Sequence, residues 1–61
     1  MSMVLKTWFT LAEAESKFGI EKSLILTWIE EGVVRCETEG EEVMRVNADD
    51  LELKLEERLR T

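Results

Sequence analysis

A mostly α-helical domain carrying one small β-hairpin is predicted for this 61-residue chain. The fold class is α+β, in the order short strand, helix, turn, helix, hairpin, helix. Three observations predict it. Glycines stand at positions 19, 32 and 40, each just where an amphipathic stretch or a strand-like run ends. Thr10 and Asn47 are capping residues placed directly before apolar residues at helical spacing. Between the second and third helical stretches lie two runs rich in Val, the pattern of a hairpin.

The elements follow in order. Trp8-Phe9 is a short extended segment after a tail at 1–7, and a single domain is expected over 8–60. Thr10-Leu11-Ala12-Glu13 is a capping box, in which the Thr hydroxyl accepts from the Glu13 amide and the Glu13 side chain reaches back to the Thr10 amide. Leu11, Ala14 and Phe18 recur at helical spacing, so a helix runs from Leu11 to Lys17 or Phe18. Gly19 suits the left-handed position past its end, with Ile20 folding back. A second helix restarts near Glu21 or Lys22 and gathers Ile25, Trp28 and Ile29 on one arc. Gly32 is expected to end it as Gly19 ends the first, so the pair is a helix-turn-helix in the general sense.

Residues 33–38 and 42–46 read as strands around a three-residue loop, Glu39-Gly40-Glu41. The preferred register pairs Cys36 with Met44 and Val34 with Val46, placing four apolar side chains on one face. Asn47 then caps a last helix with Asp49 and Asp50 in its first turn and Arg58 and Arg60 in its last. Leu51, Leu55 and Leu59 form its apolar stripe. Leu53 lies off the stripe and is a candidate homodimer seam.

Composition excludes several functions. A chain this short buries only about 60% of its unfolded surface, which leaves no room for a large enclosed active site. It has no His and one Cys, so a His-based general acid–base pair, an internal disulfide and a cysteine zinc site are absent. No nucleophile–base pair, metal constellation or phosphate loop is visible, so no enzyme activity, no catalytic residue and no cofactor are expected. Glu39, Glu41 and Glu42 are read as a solvated loop rather than a metal site. Cys36, Trp8, Phe9, Phe18 and Trp28 are read as core. With no signal segment and no long apolar run, a cytoplasmic protein without membrane partners is expected.

The residues Trp8-Phe9-Thr10-Leu11-Ala12-Glu13-Ala14, Phe18-Gly19-Ile20, Lys22-Ser23, Ile25, Trp28-Ile29-Glu30-Glu31-Gly32-Val33-Val34, Arg45-Val46 and Asp49-Asp50-Leu51 carry a resemblance. In that layout the chain resembles the MerR-like and excisionase-like winged helix-turn-helix superfamily of small bacterial and phage regulators, over about residues 8–58. The resemblance implies a DNA-binding transcriptional regulator or module. Its second helix would enter the major groove of double-stranded DNA, with a groove face at Lys22, Ser23, Leu26, Thr27 and Glu30. Its wing would touch the backbone near Arg35 and Arg45. The chain departs from the superfamily pattern at Glu21, where Ser or Thr usually caps the second helix. It departs again at Leu26, Thr27 and Glu30, where Arg or Lys is frequent.

The local charge keeps a second function open. The chain holds 8 Lys and Arg against 14 Asp and Glu, a net charge of −6. Residues 10–31 hold Lys17 and Lys22 against five glutamates, and the hairpin holds Arg35 and Arg45 against four. Affinity for duplex DNA comes largely from neutralised phosphates. The alternative is an acidic protein-interaction adaptor on the same fold that does not bind DNA. Its partner would be a protein, docking on Leu24, Leu26 and Glu30. The resemblance allows this too, because small modulators of J-type co-chaperones in the superfamily bind proteins.

Overall fold

The structure is a computed structural model and describes residues 7–60. The expected tail at 1–7 therefore lies outside the described residues, apart from Thr7. Six elements follow one another: β1 (Trp8–Phe9), α1 (Leu11–Phe18), α2 (Lys22–Glu30), β2 (Cys36–Glu39), β3 (Glu42–Asn47) and α3 (Ala48–Arg60). The strands form an antiparallel sheet in the order β1-β3-β2. The predicted two-stranded hairpin is thus enlarged to three strands, because Trp8 pairs with Asn47 and Phe9 with Val46. The result is a small α+β domain of three helices on one three-stranded sheet.

The helix ends are set by local chemistry. Both halves of the capping box form: the Glu13 amide donates to Thr10 Oγ1 at 3.1 Å, and the Thr10 amide donates to Glu13 Oε1 at 2.9 Å. Gly19 takes φ 63°, which a residue with a Cβ rarely adopts, and its amide donates to the Glu15 carbonyl at 2.9 Å. The end of α2 differs from the end of α1. The Gly32 amide bonds back to the Ile29 carbonyl and the Val33 amide to the Trp28 carbonyl, each at 3.0 Å, with Gly32 at φ 79°. That is the paired 5→2 and 6→1 pattern of a Schellman end, whereas α1 closes with a single bond.

That helix end corrects the predicted hairpin. Val34 is drawn under the end of α2, where it is buried and its amide points to the Trp28 carbonyl at 3.4 Å. Residues 33–35 are consequently not strand, and β2 starts at Cys36. Cys36 pairs with Val46 and not with Met44, and Val34 has no strand partner. The loop is also shorter than predicted. Glu39 pairs with Glu42, leaving the two residues Gly40-Glu41, with Gly40 at φ 63° and Glu41 not in the left-handed region. Positive φ at the first loop position alone is the backbone pattern of a type II′ turn. A bulge between Glu37 and Thr38 leaves Met44 as the extra residue on β3. Side chains three apart on a regular strand face opposite ways. The bulge restores Val43 and Val46 to the same side, so Val43 packs on the core while Met44 is exposed.

The core gathers Phe9, Ala14, Ile25, Trp28, Val34, Val46, Ala48 and Leu51, with Leu24, Ile29, Cys36, Val43 and Leu55 packed against it. Phe9 and Phe18 meet edge to face, with ring centroids 6.0 Å apart. Phe9 and Trp28 are core as expected, and Phe18 and Cys36 pack at its margin. Arg58 lies over the Trp28 ring, 5.9 Å from its centroid, and closes the outer side of that indole. Along α3 the leucine stripe is graded. Leu51 is fully buried, Leu55 half-buried, and Leu59 86% exposed. The helix runs on past the body it packs against. Phe18, Gly19, Ile20, Leu55, Arg58 and Leu59 line a groove of about 410 Å³ where it does so.

This gradient gives a direct expectation. Leu51→Ala should lower the unfolding free energy by about 2–5 kcal/mol, the range for emptying a filled core site. Leu59→Ala should stay within about 0.5 kcal/mol of the parent. Urea unfolding followed by Trp fluorescence measures both, and equal effects would show that the stripe is buried along its whole length.

Candidate nucleic-acid interface

α2 presents the predicted groove face outward. Ile25 and Trp28 are buried on its inner side, which turns Lys22, Ser23, Thr27 and Glu30 to solvent. Leu26 belongs to the same outward stripe and is half-buried. Leu24 turns inward enough to pack on the core. The two leucines therefore separate: one supports the body, and the other stays beside Glu30 on the surface. The Thr27 hydroxyl donates to the Ser23 carbonyl at 2.9 Å, one turn back along its own helix. Its hydrogen is thereby committed, and only its lone pairs remain for a ligand.

The start of α2 is capped from outside the helix. Glu21, in the N-cap position, makes no side-chain capping bond. Instead Glu15 of α1 reaches across the turn, and its Oε1 accepts from the Lys22 amide at 3.1 Å. A carboxylate at this end is favoured by the exposed amides and by the helix dipole. Sequence reasoning missed Glu15 because the two residues are seven apart and belong to different helices. It also means that a negative group already occupies the first amide of the helix assigned to the groove.

Arg45 of the hairpin and Arg35 just ahead of it are both held by carboxylates. Arg45 Nε lies 3.1 Å from Glu37 Oε1, directly across the β2–β3 pair. Arg35 sits in the connection ahead of β2 and turns toward α3. Its Nε donates to Asp50 Oδ2 at 2.9 Å and its Nη2 to Asp50 Oδ1 at 3.2 Å, a two-pronged pair. The Arg35 backbone amide donates to the same Oδ2 at 2.9 Å, and its carbonyl accepts from the Asn47 amide at 2.9 Å. Asp50 is in turn fixed by Asn47, whose Oδ1 accepts from the Asp50 amide at 2.9 Å. The expected cap of α3 thus forms. Sequence reasoning found Asp50 only as a first-turn acid and missed its grip on Arg35, which is fifteen residues away.

The charge consequences are local. Hydrogen bonding from the Arg35 side chain holds the Asp50 carboxyl below the usual carboxylate range, and partial burial opposes this without reversing it. Hydrogen bonding and attraction from Asp50 raise the Arg35 guanidinium in the same way. The hairpin tip carries exposed Glu39, Glu41 and Glu42. Among the described residues no group of three or more His, Cys, Asp or Glu side chains is placed to hold a metal ion. Among them, too, no helix is long and apolar enough to cross a membrane. No protein-family model, curated protein or solved structure matches the chain.

Two expectations follow. A depressed folded pKa stabilises the fold above the unfolded value of 3.8 and ceases to do so as pH falls through the folded value. Asp50→Asn should therefore be less stable than the parent at neutral pH, and the two should converge below about pH 4. Thermal melts across that range measure the gap, and a gap that widens with acid would contradict the assignment. Glu15→Gln, which keeps an acceptor but removes the charge at the start of α2, should cost about 0.3–1 kcal/mol and less at high salt. Urea unfolding at two salt concentrations would reveal it.

Proposed function

We propose that this chain is a DNA-binding regulatory module of the MerR-like and excisionase-like winged helix-turn-helix type. In this proposal α2 enters the major groove and the β2–β3 hairpin is the wing. The observation that carries it is the presentation of α2. The helix follows a tight turn after α1, buries Ile25 and Trp28 on its inner side, and turns Lys22, Ser23, Thr27 and the half-buried Leu26 outward as one stripe. Ser23 suits a phosphate or a base edge, the Thr27 oxygen can accept from a base amino group, and Leu26 suits a thymine methyl. The acidic surround makes such binding weak in an isolated copy. Association of two copies through the outward Leu53 and Leu59 of α3, which are 60% and 86% exposed, would bring two recognition helices to one duplex.

A second function is favoured by a specific observation: Arg35 and Arg45 are both paired with carboxylates, and the half-buried Leu26 lies beside Glu30. That surface suits an acidic adaptor that docks a protein through α2.

A titration of the isotope-labelled chain with a mixed-sequence duplex at low salt separates the two. The DNA-binding function predicts amide shifts confined to Lys22–Glu30 and the hairpin, lost on adding salt and weakened by Lys22→Glu. Amides of Lys22–Glu30 that do not move at millimolar duplex would remove it. The adaptor function predicts protein partners that Leu26→Ser releases, and it loses its support if every captured partner stays bound to that variant.

A further inference from the structure

The Arg35–Asp50 pair has an unusual distribution of exposure. The Asp50 side chain is 16% exposed and the Arg35 side chain 69%. A guanidinium has five N–H donors in a fixed plane. Asp50 takes Nε–H and one Nη2–H, which leaves three donors on a side chain that is otherwise in solvent. Asp50 is itself immobilised. It lies in the first turn of α3, its amide is bound by Asn47, and a third bond joins its carboxylate to the Arg35 backbone. A long side chain that is normally free to rotate is therefore clamped along one edge, with its other edge outward.

We propose that Asp50 is a positioning residue for DNA contact: it fixes Arg35 so that the free edge of the guanidinium presents to a backbone phosphate beside the wing. This inference rests on the DNA-binding function proposed above. An arginine fixed in advance loses less rotamer freedom on binding than a mobile one. The planar fork can grip a carboxylate with one edge and a phosphate with another, which a lysine ammonium cannot reproduce. The pairing with Asp50, which removes Arg35 from a simple count of free cations, is then what aims it.

The test compares the full chain with Arg35→Ala, Arg35→Lys and Asp50→Asn in duplex binding over a salt series, using one mixed-sequence duplex. Arg35→Ala should weaken binding and reduce the slope of log affinity against log salt by about 1, the loss of one phosphate contact. Arg35→Lys keeps the charge but not the fork, so it should keep most of the slope and still lose about three- to tenfold in affinity. Asp50→Asn should lose a similar factor even though it removes a negative charge near the duplex. A thermal melt confirms that each variant is folded at the binding temperature. If Asp50→Asn binds as tightly as the parent or more tightly, Asp50 competes with phosphate and the inference is overturned. An Arg35→Lys chain that matches the parent overturns it as well, without relying on the Asp50 variant. If the parent itself does not bind the duplex, the DNA-binding function fails first, and that outcome is recognisable from the parent alone.

Discussion

Asn47 carries more of this structure than any other residue. It is the last residue of β3 and pairs with Trp8 of β1. Its amide reaches the Arg35 carbonyl in the connection from α2 to β2, and its side chain caps α3 through the Asp50 amide. Four parts of the chain are tied at this one buried residue, three through its backbone and α3 through its side chain. No loop separates β3 from α3, so the direction of the helix follows from the sheet at this point. An apolar residue would leave the first turn of α3 uncapped and unable to orient Asp50. Arg35 would then lose the partner that holds the hairpin against the helix. In a domain with so little buried surface, a junction of this kind replaces what a larger core would supply.

The same junction shapes the surface proposed to meet DNA. The cations in and just ahead of the hairpin are not a loose positive field. Each is fixed by a carboxylate, Arg45 across the strands and Arg35 against α3. At the head of α2, Glu15 holds the first amide. These contacts order the surface while lowering its net attraction for phosphate. In the proposed complex with DNA, this balance would favour recognition that depends on geometry over recognition that depends on charge.

The parts of the fold that depend on neighbouring residues were legible in the sequence. The Thr10–Glu13 box, the left-handed Gly19 and the Asn47 cap each involve groups within four positions, and each formed as read. The α2 face was also legible, because a buried Ile25 and Trp28 fix the opposite stripe by periodicity alone. What failed needed knowledge of distant elements. The hairpin register turned on Val34 being drawn under α2, and on a bulge that no local pattern marks. The leucine stripe of α3 gave its direction correctly but not where the body ends, so it extended to Leu59, which is exposed. Lys22, Ser23, Leu26 and Thr27 share one outward stripe of α2, a placement that helical spacing alone gives. The partners of Arg35 and the α2 cap from Glu15 were hidden by sequence separations of fifteen and seven.

The place of β2 in the sheet has one more consequence. It is an outer strand, so one side of its backbone is not paired within the sheet, and such an edge invites a strand from another molecule. Here the edge is only four residues long, with Glu37, Thr38 and Glu39 exposed along it. Two copies approaching edge to edge would bring like charges into line at the spacing of a sheet. The carboxylates that weigh against phosphate binding at the hairpin thus guard this small sheet against continuing into a neighbour's.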